Sequence, residues 1–472
     1  MLTLNTKMIM NKDVVETVYR IEDIGKRQYD RYVEEQLQSL SNKPLSDIIS
    51  KNKLPLFSTP HAKQQCKSKA TFASLKTNCT LFARLYIACQ ARQGDIDNFF
   101  EHENQACPPS ISDMGQLRQG SKSDLLECLA NCSPSSQNMS EVDAKVFDGA
   151  AIVHMLRPGV SRTFDDYAQQ VFIPYIISQL VTVSRVDIIW ERYFADSLKQ
   201  STRERRMHGG TTQRQRVLPR APIPANWESF LRIEENKDEL FHYLSQCVQV
   251  LDVGGKVLIS TYDEVVVIAD QNVLYDLEDL QPCTHEEAET RILLHVGHCV
   301  KQGLKKVSIR TVDTDVVILA VGHYHALGID ELLVSFGFGK HFRHIPIHAI
   351  ANNIGMKANA LMFFHAISGC DTVSSFLGHG KKSAWLAWTV CPAVTEAFLA
   401  LSSQPEEVDS QTLNDIERFI VVMYSRTCAL SSVNEARKQL FSQGSRTIEN
   451  IPPTKAALLQ HIKRAVYQAG YV

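Results

Sequence analysis

Apolar and polar positions follow two rhythms along this chain, and the change from one to the other divides it. Residues 13–40 carry apolar side chains at helical spacing among charges (Val14, Val15, Val18, Ile21, Ile24, Tyr29, Tyr32, Val33), which predicts one or two amphipathic helices. Residues 81–91, an apolar segment, predict a buried helix. The stretch 107–140 is rich in Pro, Ser, Gly and Asn and reads as a domain boundary or linker. From residue 144 onward short β-branched runs alternate with helical stripes. The runs 145–149 and 185–191 predict strands that each end near an acid, Asp148 and Glu191. Between them 164–183 predicts a helix with Tyr167, Val171, Phe172, Tyr175, Ile176 and Leu180 on one face. Strand, helix and strand of these lengths predict a right-handed βαβ unit in a parallel sheet.

The same reading predicts strands at 256–260, 265–269, from Lys306 up to Asp313, and at 331–337. It predicts helices at 236–250, 284–303, 347–354, 358–368, 414–424, 433–441 and 454–469, the last opened by Pro452-Pro453. That last pattern is still running near Tyr471-Val472, as it would in a truncated chain. The expected fold class is α/β, a mostly parallel sheet flanked by helices. The expected domains are a mainly helical region 1–138, a sheet domain 139–395 with a basic insertion at 192–235, and a helical segment 396–472.

Composition narrows this only slightly. A chain of 472 residues is long enough for two or three domains, and 44% hydrophobic with 22% charged residues excludes wholesale disorder. A net charge of −2 says nothing of partners, so any nucleic-acid signal must be local. The 12 cysteines are scattered from Cys66 to Cys428 and the start Met-Leu-Thr-Leu-Asn-Thr-Lys is no secretion signal, so a reduced chain in nucleus or cytoplasm is expected. Cys128-x-x-x-Cys132 lacks a second Cys or His pair nearby, which argues against zinc. No apolar run reaches the length of a membrane span, so no membrane partner is expected.

The candidate chemistry lies in acids at element ends. Asp313-Thr-Asp315 ends a strand with two carboxylates, whose mutual repulsion calls for a cation or a wet pocket. Thr284 fits an N-cap with Glu287 at its capping-box position, which gives Glu287 a purely structural alternative; Glu289, a third acid in the same turn, is harder to dismiss, since it adds repulsion unless a cation faces it. Lys199, Arg203, Arg205, Arg206, Arg214, Arg216 and Arg220 form the most basic stretch of the chain. Alone it reads as a solvated loop, but beside a carboxylate cluster it is suited to hold a phosphate backbone. Gly378-His-Gly380-Lys381-Lys382 is a glycine-rich turn before a helix, able to bind one phosphate; it is no P-loop, because Ser375 stands at the first glycine position. His323 and His325 do not share a helix face, and metal binding by them is not expected.

Taken in order, Phe147-Asp148, Trp190-Glu191 with Lys199 and Arg206, Glu287-Ala288-Glu289, Asp313-Thr-Asp315, Gly369-Cys370-Asp371 and Gly378-x-Gly380-Lys381-Lys382 resemble the flap endonuclease and XPG group of the PIN-like nuclease fold. The resemblance covers roughly residues 140–390. Within that span the chain is similar still more to animal proteins of unassigned activity that carry the run His-Glu-Glu-Ala-Asp-Thr-Arg-Ile-Leu, here starting at His285 with Glu289 at the Asp position. The resemblance implies two Mg²⁺ or Mn²⁺ ions and hydrolysis of a phosphodiester in DNA or RNA. It implies metal ligation by Glu287, Glu289, Asp313, Asp315 and Asp371, with Asp148, Glu191, Lys199 and Arg206 nearest the scissile phosphate. It also implies nucleic-acid contacts by Arg203, Arg205, Arg214, Arg216 and the Gly378, Gly380, Lys381, Lys382 turn, the last with a K⁺ ion. Glu191 stands where the group has Asp, and Asp371 is followed by Thr-Val-Ser-Ser. On those departures rests the alternative, a catalytically inactive PIN-like module that binds nucleic acid or protein. A protein-interaction scaffold with solvated acids is a third expectation.

Overall fold

A computed structural model describes residues 12–34, 82–92, 94–103, 105–132, 141–194, 214–269, 275–403, 405–443 and 446–471. The chain forms two compact units, Met1–Thr71 and Phe72–Val472. The described part of the first is a pair of helices, Lys12–Tyr19 and Ile21–Tyr32, where the helical spacing over 13–40 predicts them. No helix among the described residues is long and apolar enough to cross a membrane.

The second unit is α/β. Its seven-stranded sheet consists of β1 (Ala144–Asp148), β2 (Arg185–Ile189), β3 (Val257–Tyr262), β4 (Val265–Ile268), β5 (Lys306–Thr311), β6 (Glu331–Phe336) and β7 (Arg343–Pro346). The strand order is β4-β3-β2-β1-β5-β6-β7. The five central strands are parallel, and β4 and β7 are antiparallel edges. The chain lays down β1, builds outward through β2 and β3, and then returns to the other side of β1 with β5. That reversal makes the carboxyl ends of β1 and β5 the topological switch point, where an open parallel sheet leaves a crevice.

The strands are apolar on both faces, as a sheet covered on both sides requires. Phe147, Val186, Ile188, Leu258 and Leu333 pack into one core with helices such as Ile173–Val181 and Glu234–Gln249. Val146, Val307, Ile309 and Val334 pack into the other core with helices such as Ala288–Lys301, Thr314–Leu327 and Lys357–Ile367. The C-terminal helices Ser410–Tyr424 and Lys455–Tyr471 join that second core.

Three expectations change. The stretch 107–140 does not separate domains as far as it is described: its helix Ser123–Ala130 buries Leu125, Leu126 and Leu129 in the larger core. Strand β7 went unread, because Arg-His-Ile-Pro carries the charge and proline that suit a sheet edge and buries only Ile345. Thr284 caps no helix. The helix starts at Ala288 with Glu287 in the N-cap position, because bonds from Cys283 N–H to Glu264 O (2.8 Å) and from Arg192 N–H to Glu286 O (3.0 Å) hold the preceding residues to the strands.

Candidate metal centre

The helices that matter here are α1 (Ser123–Ala130), α2 (Gly149–Met155), α3 (Glu234–Gln249), α4 (Ala288–Lys301), α5 (Thr314–Leu327), α6 (Lys357–Ile367) and α7 (Lys381–Val390). Three of them begin at acids of the series. Asp148 ends β1 and caps α2, its Oδ1 accepting from Ala151 N–H at 3.0 Å. Asp313 follows β5 and caps α5, its Oδ1 accepting from Asp315 N–H at 2.9 Å. Glu287 is the N-cap residue of α4, and Glu289 lies in its first turn. The partial positive charge at each helix start offsets part of the repulsion among these carboxylates. Thr311, at the end of β5, ties two of them together: its hydroxyl donates to Asp148 Oδ2 at 2.8 Å and accepts from Asp313 N–H at 3.0 Å.

These positions converge. Glu289, Asp313 and Asp315 each offer a carboxylate oxygen, and the three oxygens lie within 4.8 Å of one another. Oxygens on a common divalent ion at about 2.1–2.5 Å stand no more than about 5 Å apart, so this set fits a hard cation. Asp315 Oδ1 is buried and takes no hydrogen bond; His365 Nε2 lies 3.4 Å from it. A cleft of about 320 Å³ opens beside the triad and is lined by Asp148, Glu191, Glu287, Glu289, Asp313 and Asp371. Asp315 lies just behind it, in a smaller pocket that also touches Glu289 and Asp371. All seven acids of the series are therefore gathered at the switch point.

Their surroundings set their charge. Burial, and next the neighbouring Glu191 carboxylate, push the Asp148 carboxyl up to about 7, with Ala151 N–H and the Thr311 hydroxyl acting the other way. Glu191 accepts from the Tyr193 hydroxyl and lies 3.6 Å from Lys237 Nζ on α3. Lys237 also stands over the Tyr193 ring at 4.4 Å and, with Arg232, lines the cleft. The most consequential cation is Lys122, just before α1. Its Nζ pairs with Asp315 Oδ2 and lies 3.0 Å from Asp371 Oδ2. Burial works against this ammonium, but Asp315, Asp313 and Asp371 more than reverse the effect and raise its pKa. Sequence reasoning missed Lys122, Lys237, Arg232 and His365, since each lies far along the chain from the acids it meets.

The basic candidates fare differently. Lys199, Arg203, Arg205 and Arg206 lie outside the described residues. Arg214 is turned to its own fold, pairing with Glu239 and donating to Asn236 Oδ1 at 2.9 Å, while Arg216 is exposed. The glycine-lysine turn needs correcting. Lys381 is fully buried, and its Nζ donates to His365 O at 2.6 Å and Ser368 Oγ at 3.1 Å, closing the end of α6 rather than facing a phosphate. Burial lowers its pKa to about 7. Lys382 is paired with Glu127 Oε2 at 2.6 Å and with Asp124 at 3.6 Å on α1. Gly378 does take the left-handed φ of +73° that its position in the turn demands, and Gly380 is the N-cap residue of α7. The chain's own 110–127 segment lies against this turn, bonded through Leu377 N–H to Ser110 O (2.8 Å) and Ser375 N–H to Arg118 O (2.9 Å).

Fold and site define an α/β protein with a carboxylate cluster at the switch point of a mostly parallel sheet. Comparison with models of known protein families finds no match, and comparison with curated proteins finds none either.

Proposed function

We propose that this chain hydrolyses phosphodiester bonds of DNA or RNA with the help of Mg²⁺ or Mn²⁺, its sheet unit being a PIN-like domain of the flap-endonuclease kind. The observation that carries this reading is the triad Glu289, Asp313 and Asp315, whose oxygens lie within 4.8 Å of one another, at a cleft that Glu289 and Asp313 line together with four further acids of the series. These three would hold the ion, which when bound polarises a phosphoryl oxygen and neutralises developing charge. Asp148, with its pKa near neutrality, is suited to take up a proton at the reacting centre. Lys237 and Arg232 line the same cleft and would orient a phosphate against the acids.

The test is cleavage of flap, bubble and single-stranded substrates with Mg²⁺ or Mn²⁺, run beside Asp313→Ala and Asp315→Ala. Loss of groups that merely support metal ligands costs about 10–100-fold, so each ligand variant is expected to lose at least about 100-fold in rate. Absence of metal-dependent cleavage by the unaltered chain overturns the hydrolase reading. The second reading, an inactive module that binds nucleic acid or protein, draws support from the ammonium of Lys122 on Asp315 and Asp371 and from the engagement of Glu191 by Tyr193 and Lys237. It predicts salt-dependent binding of the same substrates without any cleavage.

A further inference from the structure

The acid cluster already contains one cation of the chain's own. Lys122 Nζ bridges Asp315 Oδ2 and Asp371 Oδ2, the second at 3.0 Å. This ammonium is delivered by built structure. Before it, Arg118 N–H donates to Ser374 Oγ at 3.0 Å, and Ser375 N–H donates to Arg118 O at 2.9 Å. After it, α1 sinks Leu125, Leu126 and Leu129 into the larger core, and its Glu127 pairs with Lys382 at 2.6 Å. The chain is thus tied to the 374–382 segment through its backbone before Lys122 and through an ion pair after it.

The placement divides the cluster. Asp315 lies away from the open cleft, in the smaller pocket, and Lys122 engages it together with Asp371. Glu289, Asp313, Asp148 and Glu191 line the open cleft. An ammonium and a divalent ion cannot share the Asp315–Asp371 pair, because like charges at that separation repel and compete for the same oxygens. We propose that Lys122 takes the place of a second divalent ion, so that the centre holds one Mg²⁺ or Mn²⁺ on Glu289, Asp313 and the Oδ1 side of Asp315, and a tethered ammonium between Asp315 Oδ2 and Asp371. This rests on the metal-site reading given above. It assigns a role to a segment that lies outside the span of the nuclease resemblance.

Calorimetric titration of the full chain with Mn²⁺ at fixed pH, with bound ion counted independently by electron paramagnetic resonance, tests it. The expected result is one ion for the unaltered chain, one for Lys122→Arg and two for Lys122→Met. Two ions on the unaltered chain overturn the assignment of Lys122 and leave the metal-site reading standing. A single ion on a Lys122→Met protein that keeps the native circular dichroism spectrum also overturns it. No ion on either protein overturns both the assignment and the metal-site reading beneath it. Should Lys122→Met fail to fold, Lys122→Gln, which keeps a polar head but no charge, is expected to take two ions. A count of two on the unaltered chain decides against the assignment without any variant.

Discussion

Trp190 occupies the space where a side chain at position 149 would be: a Cβ on Gly149 would stand 2.2 Å from the indole ring. That ring is stacked on Phe241 at 4.5 Å and donates through Nε1 to Ser260 Oγ at 3.0 Å, so it has little room to retreat. Gly149 follows Asp148 and Trp190 precedes Glu191, so this one contact sets two carboxylates of the cleft against each other. Gly149→Ala is expected to lower stability by about 1–3 kcal/mol and to weaken Mn²⁺ binding, read by urea unfolding and by calorimetry. His461 offers a separate test. Burial pushes its imidazole down to about 4 from an ordinary 6.5, and its Nε2 bonds to Ile367 O at 2.9 Å. Between those two values the unfolded chain binds a proton that the folded chain refuses, so stability is full above about 6.5 and declines as pH falls. The loss approaches about 3 kcal/mol near pH 4. His461→Gln is expected to narrow the gap in Tm between pH 7.5 and 4.5. At this scale the acids were readable, because Asp313-Thr-Asp315 and Glu287-Ala288-Glu289 are local patterns at element ends. Lys122 was not, since 193 residues separate it from Asp315 and nothing in its own neighbourhood marks it.

Strand β2 carries a fully buried ion pair. Arg185 Nη2 lies 2.6 Å from Asp187 Oδ2, and His295 Nδ1 on α4 lies 2.7 Å from the same oxygen. Burial works against the Asp187 carboxylate, but the Arg185 guanidinium more than offsets it and the pKa falls to about 2. Removing one partner leaves the other charge stranded, so Asp187→Ala is expected to cost about 3–5 kcal/mol in urea unfolding. The double replacement Arg185→Met with Asp187→Leu is expected to cost less than Asp187→Ala alone. Sequence pattern identified β2 as a strand from its β-branched run but said nothing of this pair, whose histidine partner arrives 108 residues later. The π-helical turn Ala168–Phe172 within the 164–183 helix was equally invisible, because its apolar stripe is also that of a regular helix. Strands with β-branched runs, the edge β4 included, were the readable elements; the edge β7, with its charge and proline, and the caps, which are settled by neighbours distant in sequence, were not.

For the molecule as a whole, the charges facing the cleft are mixed, with Lys237 and Arg232 opposite the acids. If a nucleic-acid strand enters there, replacing both by Gln removes two phosphate contacts. The slope of log affinity against log salt is then expected to flatten by about 1.5. Weaker binding with an unchanged slope would count against that path. The α/β class and the gathering of the acids at one end of a parallel sheet were legible as alternation of strand and helix with carboxylates at strand ends. The contribution of residues 110–130 was not, because its Ser and Gly resemble a linker and its partners lie past residue 310. The sheet order has a last consequence, for synthesis on the ribosome. Strand β1 ends up in the middle of the sheet, yet β5, its neighbour on one side, is still untranslated when β1 and β2 can first pair; Asp148 and Thr311 are 163 residues apart. At 5–20 residues per second β1 waits roughly 10–30 s with that side unpaired. For that interval the central strand of the finished protein is an exposed edge, open to pairing with another nascent chain until β5 arrives to close it.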